Sequence, residues 1–284
     1  TQPTLAQLVI INNATDGSIT LNVTAQPLSG SASDMSAAFY GITASGYQGN
    51  LTITEAVSSS SGVTAINLMT GATSGLASAN ITASSAELAS LTSSASDAIT
   101  ITISDAASTS FSATALSTIG GKTASTVTVS NPMVISGTVA QNTAALVTAN
   151  TKVTATSADV ILSDAKDTQI AANDIVNISE ATSGTVRVSN GITLIGSGTE
   201  VKQAITLTNL TLPSDFDISV IGALTIESSV ISMFNTVASS TSGDLLVTGT
   251  SFGDILTTSS FTGDGSKGLT INGGNKFDTI TGTD

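Results

Sequence analysis

The sequence predicts an all-β protein, an elongated and mostly parallel β-solenoid of degenerate coils. Apolar residues make up 40% of the chain but aromatic ones only 3%. The apolar content therefore lies in small and β-branched side chains, which are stiff at χ1 and suit a pleated surface. Short apolar/polar alternations recur with turn residues between them, the pattern of half-buried strands. The chain also repeats itself: residues 101–106 (ITISDA) match 160–165 (VILSDA) at an offset of 59.

The predicted strands are, in order, 18–24, 51–54, 98–104, 126–130, 185–189, 204–208 and 269–271. The offset also matches Leu116 with Ile175, Val127 with Val186, and Ser130-Asn131 with Ser189-Asn190. Within each copy the strands stand 25 residues apart, near 101 and 126 and again near 160 and 185. That spacing, with small-residue connections, suits stacked coils that each bury an apolar row against the next. The Ala-rich stretches 85–91 and 143–147 are expected as single helical turns between coils. Tandem β-sandwich domains are the alternative, with hairpin signals at Asp16-Gly17, Asn190-Gly191, Asp264-Gly265 and Asn272-Gly273.

Seven basic and twenty acidic residues give a net charge of −13, and no basic residue precedes Lys122. This field excludes nucleic acid and anionic membranes as partners and favours cations. There is no Cys and no His, which removes thiol nucleophiles, His-based triads and most zinc sites. No apolar run reaches the roughly 18 residues of a membrane span. The N-terminal Thr-Gln-Pro-Thr, without Met or a signal core, is expected to be a processed or excised end.

The most informative motif is Gly273-Gly274-Asn275-Lys276-Phe277-Asp278-Thr279-Ile280-Thr281, followed by Gly282-Thr283-Asp284. It resembles the nonapeptide of RTX, or hemolysin-type, calcium-binding repeats, with Lys276 as the departure. An earlier echo reads Phe252-Gly253-Asp254-Ile255-Leu256, and Asp264 stands in a polar turn between the two. The resemblance implies a Ca2+ site formed by Asp278, Asp254, Asp264, Gly274 and Asp284, and Ile280 in the core of a calcium β-roll. It divides the chain into a repetitive scaffold at 1–248, with a sub-boundary near 50, and the start of calcium-binding repeats at 249–284. It further implies type I secretion and a place among bacterial surface-layer and adhesin proteins.

Asp105 and Asp164, equivalent in the internal repeat, are read either as calcium ligands between coils or as residues that end a strand and cap a turn. Asp215 and Asp217 would share one face of a strand, and with Arg187, the only Arg, they form the one candidate constellation for polysaccharide lyase chemistry. Thr100/Thr102, Thr126/Thr128 and Thr206/Thr208 have the spacing of ice-binding faces. Unequal coil lengths argue against a single flat array of them.

The expected function is structural and non-enzymatic. Identical subunits assemble outside the cell into a surface layer, sheath or filament, with calcium offsetting acidic repulsion and a cell-surface glycan or lipopolysaccharide as anchor. An adhesin module of a giant secreted protein is the alternative.

Overall fold

The structure, a computed structural model, describes residues 3–17, 19, 26–40, 47–148, 152–213, 215–221, 245–248, 255–257, 269–272 and 279–281. Eight α-helices lie among these residues, interleaved with strands that form parallel sheets. The fold is therefore α/β, which corrects the expected all-β solenoid and equally the tandem β-sandwich. The physical reason is local. The Ser/Thr/Ala segments between strands carry helix-start signals, in which a Ser or Thr hydroxyl and a Glu or Gln three residues on satisfy each other's backbone N–H groups. Such capping boxes form at Thr4 with Gln7, Ser84 with Glu87, Thr138 with Gln141, and Ser197 with Glu200.

The chain forms two compact units, residues 1–133 with 144–156, and residues 134–143 with 157–284. The first holds a six-stranded sheet in the order Leu28–Gly30, Leu51–Ser58, Ala77–Ala83, Ala98–Ile103, Val127–Val129 and Val153–Thr154. Every pairing in it is parallel. One face is the core: Ile81, Ile101 and Val127 follow one another in register and are buried, as do Ala83, Ile103 and Val129. Stacking β-branched residues in register buries apolar area at about 25 cal/mol per Å2 without large side chains. The helix Ser59–Ala72 buries Val63, Ile66 and Met69, spaced at three residues so that one stripe faces inward.

In the second unit, Val134–Gly137, Asp159–Leu162, Val186–Val188 and Leu210–Thr211 pair in parallel. A second sheet runs through Gln169–Ala171, Thr193–Gly196, Asp217–Ile221, Leu245–Thr248 and Leu269–Asn272. Near the C-terminus Ile255–Thr257 pairs with Thr279–Thr281. Here Leu245 pairs with Leu269 and Ile255 with Thr279, both steps of 24 residues. A step of 24 is not a multiple of nine, and these strands belong to the parallel sheets of an α/β fold, so the expected calcium β-roll is corrected as well. Of the predicted strand at 18–24 only Ile19 is among the described residues, and it belongs to no strand. The one at 204–208 is instead the end of the helix Gly198–Ile205, where the Thr206 hydroxyl turns back to the carbonyl of Lys202.

The 59-residue offset reappears atom by atom. Asn131 donates its amide to the Asp105 carbonyl at 2.7 Å, and Asn190 does the same to Asp164 at 2.7 Å. Ser108 and Asp167 both take the left-handed conformation, each at φ 63°, rare for residues other than glycine. Both are held there by a backbone bond of 2.7 Å, Ser108 to the carbonyl of Pro132 and Asp167 to that of Gly191. The helices Ala113–Gly120 and Ala172–Glu180 begin at the same offset.

A buried threonine closes each repeat. Thr123 donates to the Ile99 carbonyl at 2.6 Å, and its oxygen accepts from Ser125 N–H. Thr182 donates to the Ala158 carbonyl at 2.5 Å and accepts from Gly184 N–H. Gly184 passes so close to the Ala158 carbonyl that a β-carbon there would collide with backbone. Replacing Thr182 by Val keeps the volume and leaves these buried groups unpaired, at about 1–3 kcal/mol. A chemical denaturation midpoint should show that loss, and Gly184→Ala should be destabilising as well.

Candidate functional site

The carboxylates that the sequence singles out fall into separate groups. Asp254, Asp264, Asp278, Gly274 and Asp284 lie outside the described residues, as does the side chain of Ile280. Asp105 and Asp164 are described, and both close the start of a helix. Asp105 accepts the Ser85 N–H at 2.6 Å and the Ser85 hydroxyl at 3.0 Å, at the first turn of the helix Ser85–Leu88. Asp164 accepts the Val139 N–H at 2.8 Å, at the first residue of Val139–Asn142.

Two glutamates repeat the arrangement. Glu55 accepts the Ala32 N–H at 2.6 Å, and Glu87 accepts the Ser60 N–H at 2.9 Å. In all four cases a carboxylate 20 to 27 residues later in the chain caps a helix that precedes it. The first-turn N–H groups of a helix lack intrahelical partners and carry partial positive charge, so a carboxylate there satisfies both. The signal in the sequence was single acidic residues within or shortly after the predicted strands and helical turns, which strand periodicity alone does not interpret. At the other end of Ser85–Leu88, Lys122 donates to the Ala89 carbonyl at 2.8 Å. Partial burial pushes the Lys122 ammonium pKa down.

Asp215, Asp217 and Arg187 are not brought together into a cleft by the sheets. Asp217 begins a strand paired with Thr193–Gly196, whereas Arg187 pairs with Ile161 and Thr211 in the other sheet. Asp215 forms an ion pair with Lys166 at 3.3 Å. Phe216 between the two aspartates is buried, so this segment anchors the strand. Among the described residues no three acidic side chains gather closely enough to hold a cation. No protein family, curated protein or solved structure matches this chain.

Two concave regions occur in the first unit. One, of about 430 Å3, is lined by Ser33, Ser36, Glu55, Ser58, Ser61 and Gly62. The other, of about 320 Å3, lies where the register of Leu51–Ser58 shifts between Thr52 and Ala56, and is lined by Thr52, Thr54, Ser78 and Asn80. The only carboxylate in the first, Glu55, already caps Ala32. Both mix Ser or Thr hydroxyls with Ala and a Val or Ile side chain, and no aromatic residue lines either to stack on a sugar ring.

The backbone and hydroxyl of Ser84, and then the N–H of Ser60, hold the Glu87 carboxyl below its ordinary value of 4.5. Ser197 does the same for Glu200. A carboxyl with a depressed folded-state pKa contributes stability above its ordinary pKa and loses it as pH falls through the folded value. NMR titration of the two glutamates should give midpoints below those of a free glutamate, with the helix-start amide shifts moving along the same curves. Replacing Asp105 by Ala should cost about 1 kcal/mol, as loss of a helix cap does. The melting shift should be equal with calcium and with a chelator.

Proposed function

We propose that the chain is a structural protein of an extracellular layer, sheath or filament, in which copies join through the open edges of their parallel sheets. The observation that carries this reading is the pairing order of the sheets. Val153–Thr154, Gln169–Ala171 and Leu210–Thr211 are each last in their sheets, with a partner strand on one side only among the described residues. An edge strand presents a row of unpaired N–H and C=O groups to a further strand. A contact between unlike edges of identical copies does not close on itself and propagates into filaments or lattices.

Acidity opposes such assembly, because a net charge of −13 repels copies of the chain. Calcium supplies the compensation, taken up by Asp254, Asp264 and Asp278 with Gly274 and Asp284. Two facts support placing it there. Asp254 and Asp278 directly precede, in the sequence, the strands Ile255–Thr257 and Thr279–Thr281, and those strands pair with Ile255 opposite Thr279. Oxygen-rich segments of this kind suit a hard cation of six to eight ligands. A cell-surface glycan or lipopolysaccharide anchors the assembly. No helix among the described residues is long and apolar enough to cross a membrane.

The test is light scattering and electron microscopy of the purified chain with millimolar calcium and with a chelator. Filaments or sheets in calcium that dissolve in chelator are expected, and the double substitution Asp254→Asn with Asp278→Asn should raise the calcium needed. Monomers under both conditions would overturn the assembly reading, and a calcium-loaded monomer that captures cells or glycans would replace it with an adhesin.

A further inference from the structure

The outward face of the six-stranded sheet carries a column of hydroxyls. Ser58 pairs with Thr82, Thr82 with Thr102, Thr102 with Thr128, and Thr128 with Thr154, so one position on five successive strands bears a hydroxyl. Beside it runs a second column, Ala56, Asn80 and Thr100. The unequal lengths of chain between strands do not disturb this alignment, because the backbone ladder rather than the connections sets the register. The pairing thus lines up Thr102 and Thr128 of the predicted threonine pairs, whereas Thr206 stands at the end of the helix Gly198–Ile205.

These threonines behave differently from those that build the fold. Thr73, Thr123 and Thr182 spend their hydroxyls on backbone carbonyls. The hydroxyls of Thr82, Thr102, Thr128 and Thr154 make no hydrogen bond among the described residues, and Thr82, Thr128 and Thr154 are exposed. Neither column contains a charged residue, although the chain carries twenty acidic ones. The corresponding face of the first sheet of the second unit carries Asp159 and Arg187.

We propose that this face binds ice. Parallel strands lie about 4.8 Å apart, and alternate residues along a strand about 6.6 Å apart. This grid is close to the oxygen repeats of hexagonal ice along its two principal directions. The branched β-carbon of threonine fixes χ1, so methyls and hydroxyls are held at grid points before any ligand arrives, and little side-chain entropy is lost on binding. A protein partner is a poorer fit, since interface anchors are Trp, Tyr and Arg and the columns contain none. A soluble sugar would want an aromatic platform, also absent from the columns.

The proposal does not depend on self-assembly and is tested separately from it. Purified chain, in chelator to keep it dispersed, should show thermal hysteresis and suppress ice recrystallisation. Thr102→Lys with Thr128→Lys should abolish both, whereas Thr185→Lys on the second unit should leave them intact, with circular dichroism melts confirming the fold. If the double variant melts early, Thr154→Lys at the exposed end of the column takes its place and should weaken both effects. No hysteresis and no recrystallisation inhibition by the unmodified chain, or full activity in a folded column variant, would overturn it.

Discussion

Parallel pairing at steps of 20 to 27 residues is the constraint from which the rest of the structure follows. A parallel pair cannot be joined by a tight hairpin and needs a crossover, for which a helix is the usual solution. Each step must therefore hold a strand, a return and a helical or turn connection. Because alternate residues along a strand face opposite sides, the same register that stacks Ile81, Ile101 and Val127 inward stacks Thr82, Thr102 and Thr128 outward. Core and surface are two readings of one backbone ladder.

Some of this was legible in the sequence. The alternation at 98–104 and 185–189 marks the strands Ala98–Ile103 and Val186–Val188, and the 59-residue offset corresponds to equivalent turns, caps and left-handed residues. The helices were obscured by composition. Strands and helices here draw on the same Ala, Ser, Thr and Val, so residue type alone does not separate them, and the decisive signal was the Ser/Thr-to-Glu/Gln spacing at helix starts. Residues 204–208 illustrate the conflict. Their alternation suits a strand, but the capping box of Ser197 and Glu200 starts a helix that runs through Ile205.

The acidic residues divide by position. Glu55, Glu87, Asp105 and Asp164 serve the helices, with Asp105 and Asp164 occupied by N–H groups of Ser85 and Val139. Such a residue looks the same in the sequence as a calcium ligand, since both roles ask an oxygen to face positive charge at a turn. What distinguishes them is the partner, and the partner lies 20 or 25 residues away. The carboxylates read as calcium ligands fall in the Gly- and Asp-rich segment after Thr248, whose described strands pair by the same parallel rule.

The caps also give the chain a direction in time. The helix starts at Ala32, Ser60, Ser85 and Val139 are completed by a carboxylate 20 to 27 residues further along, so their first-turn N–H groups stay without that partner until the later segment has folded back onto them.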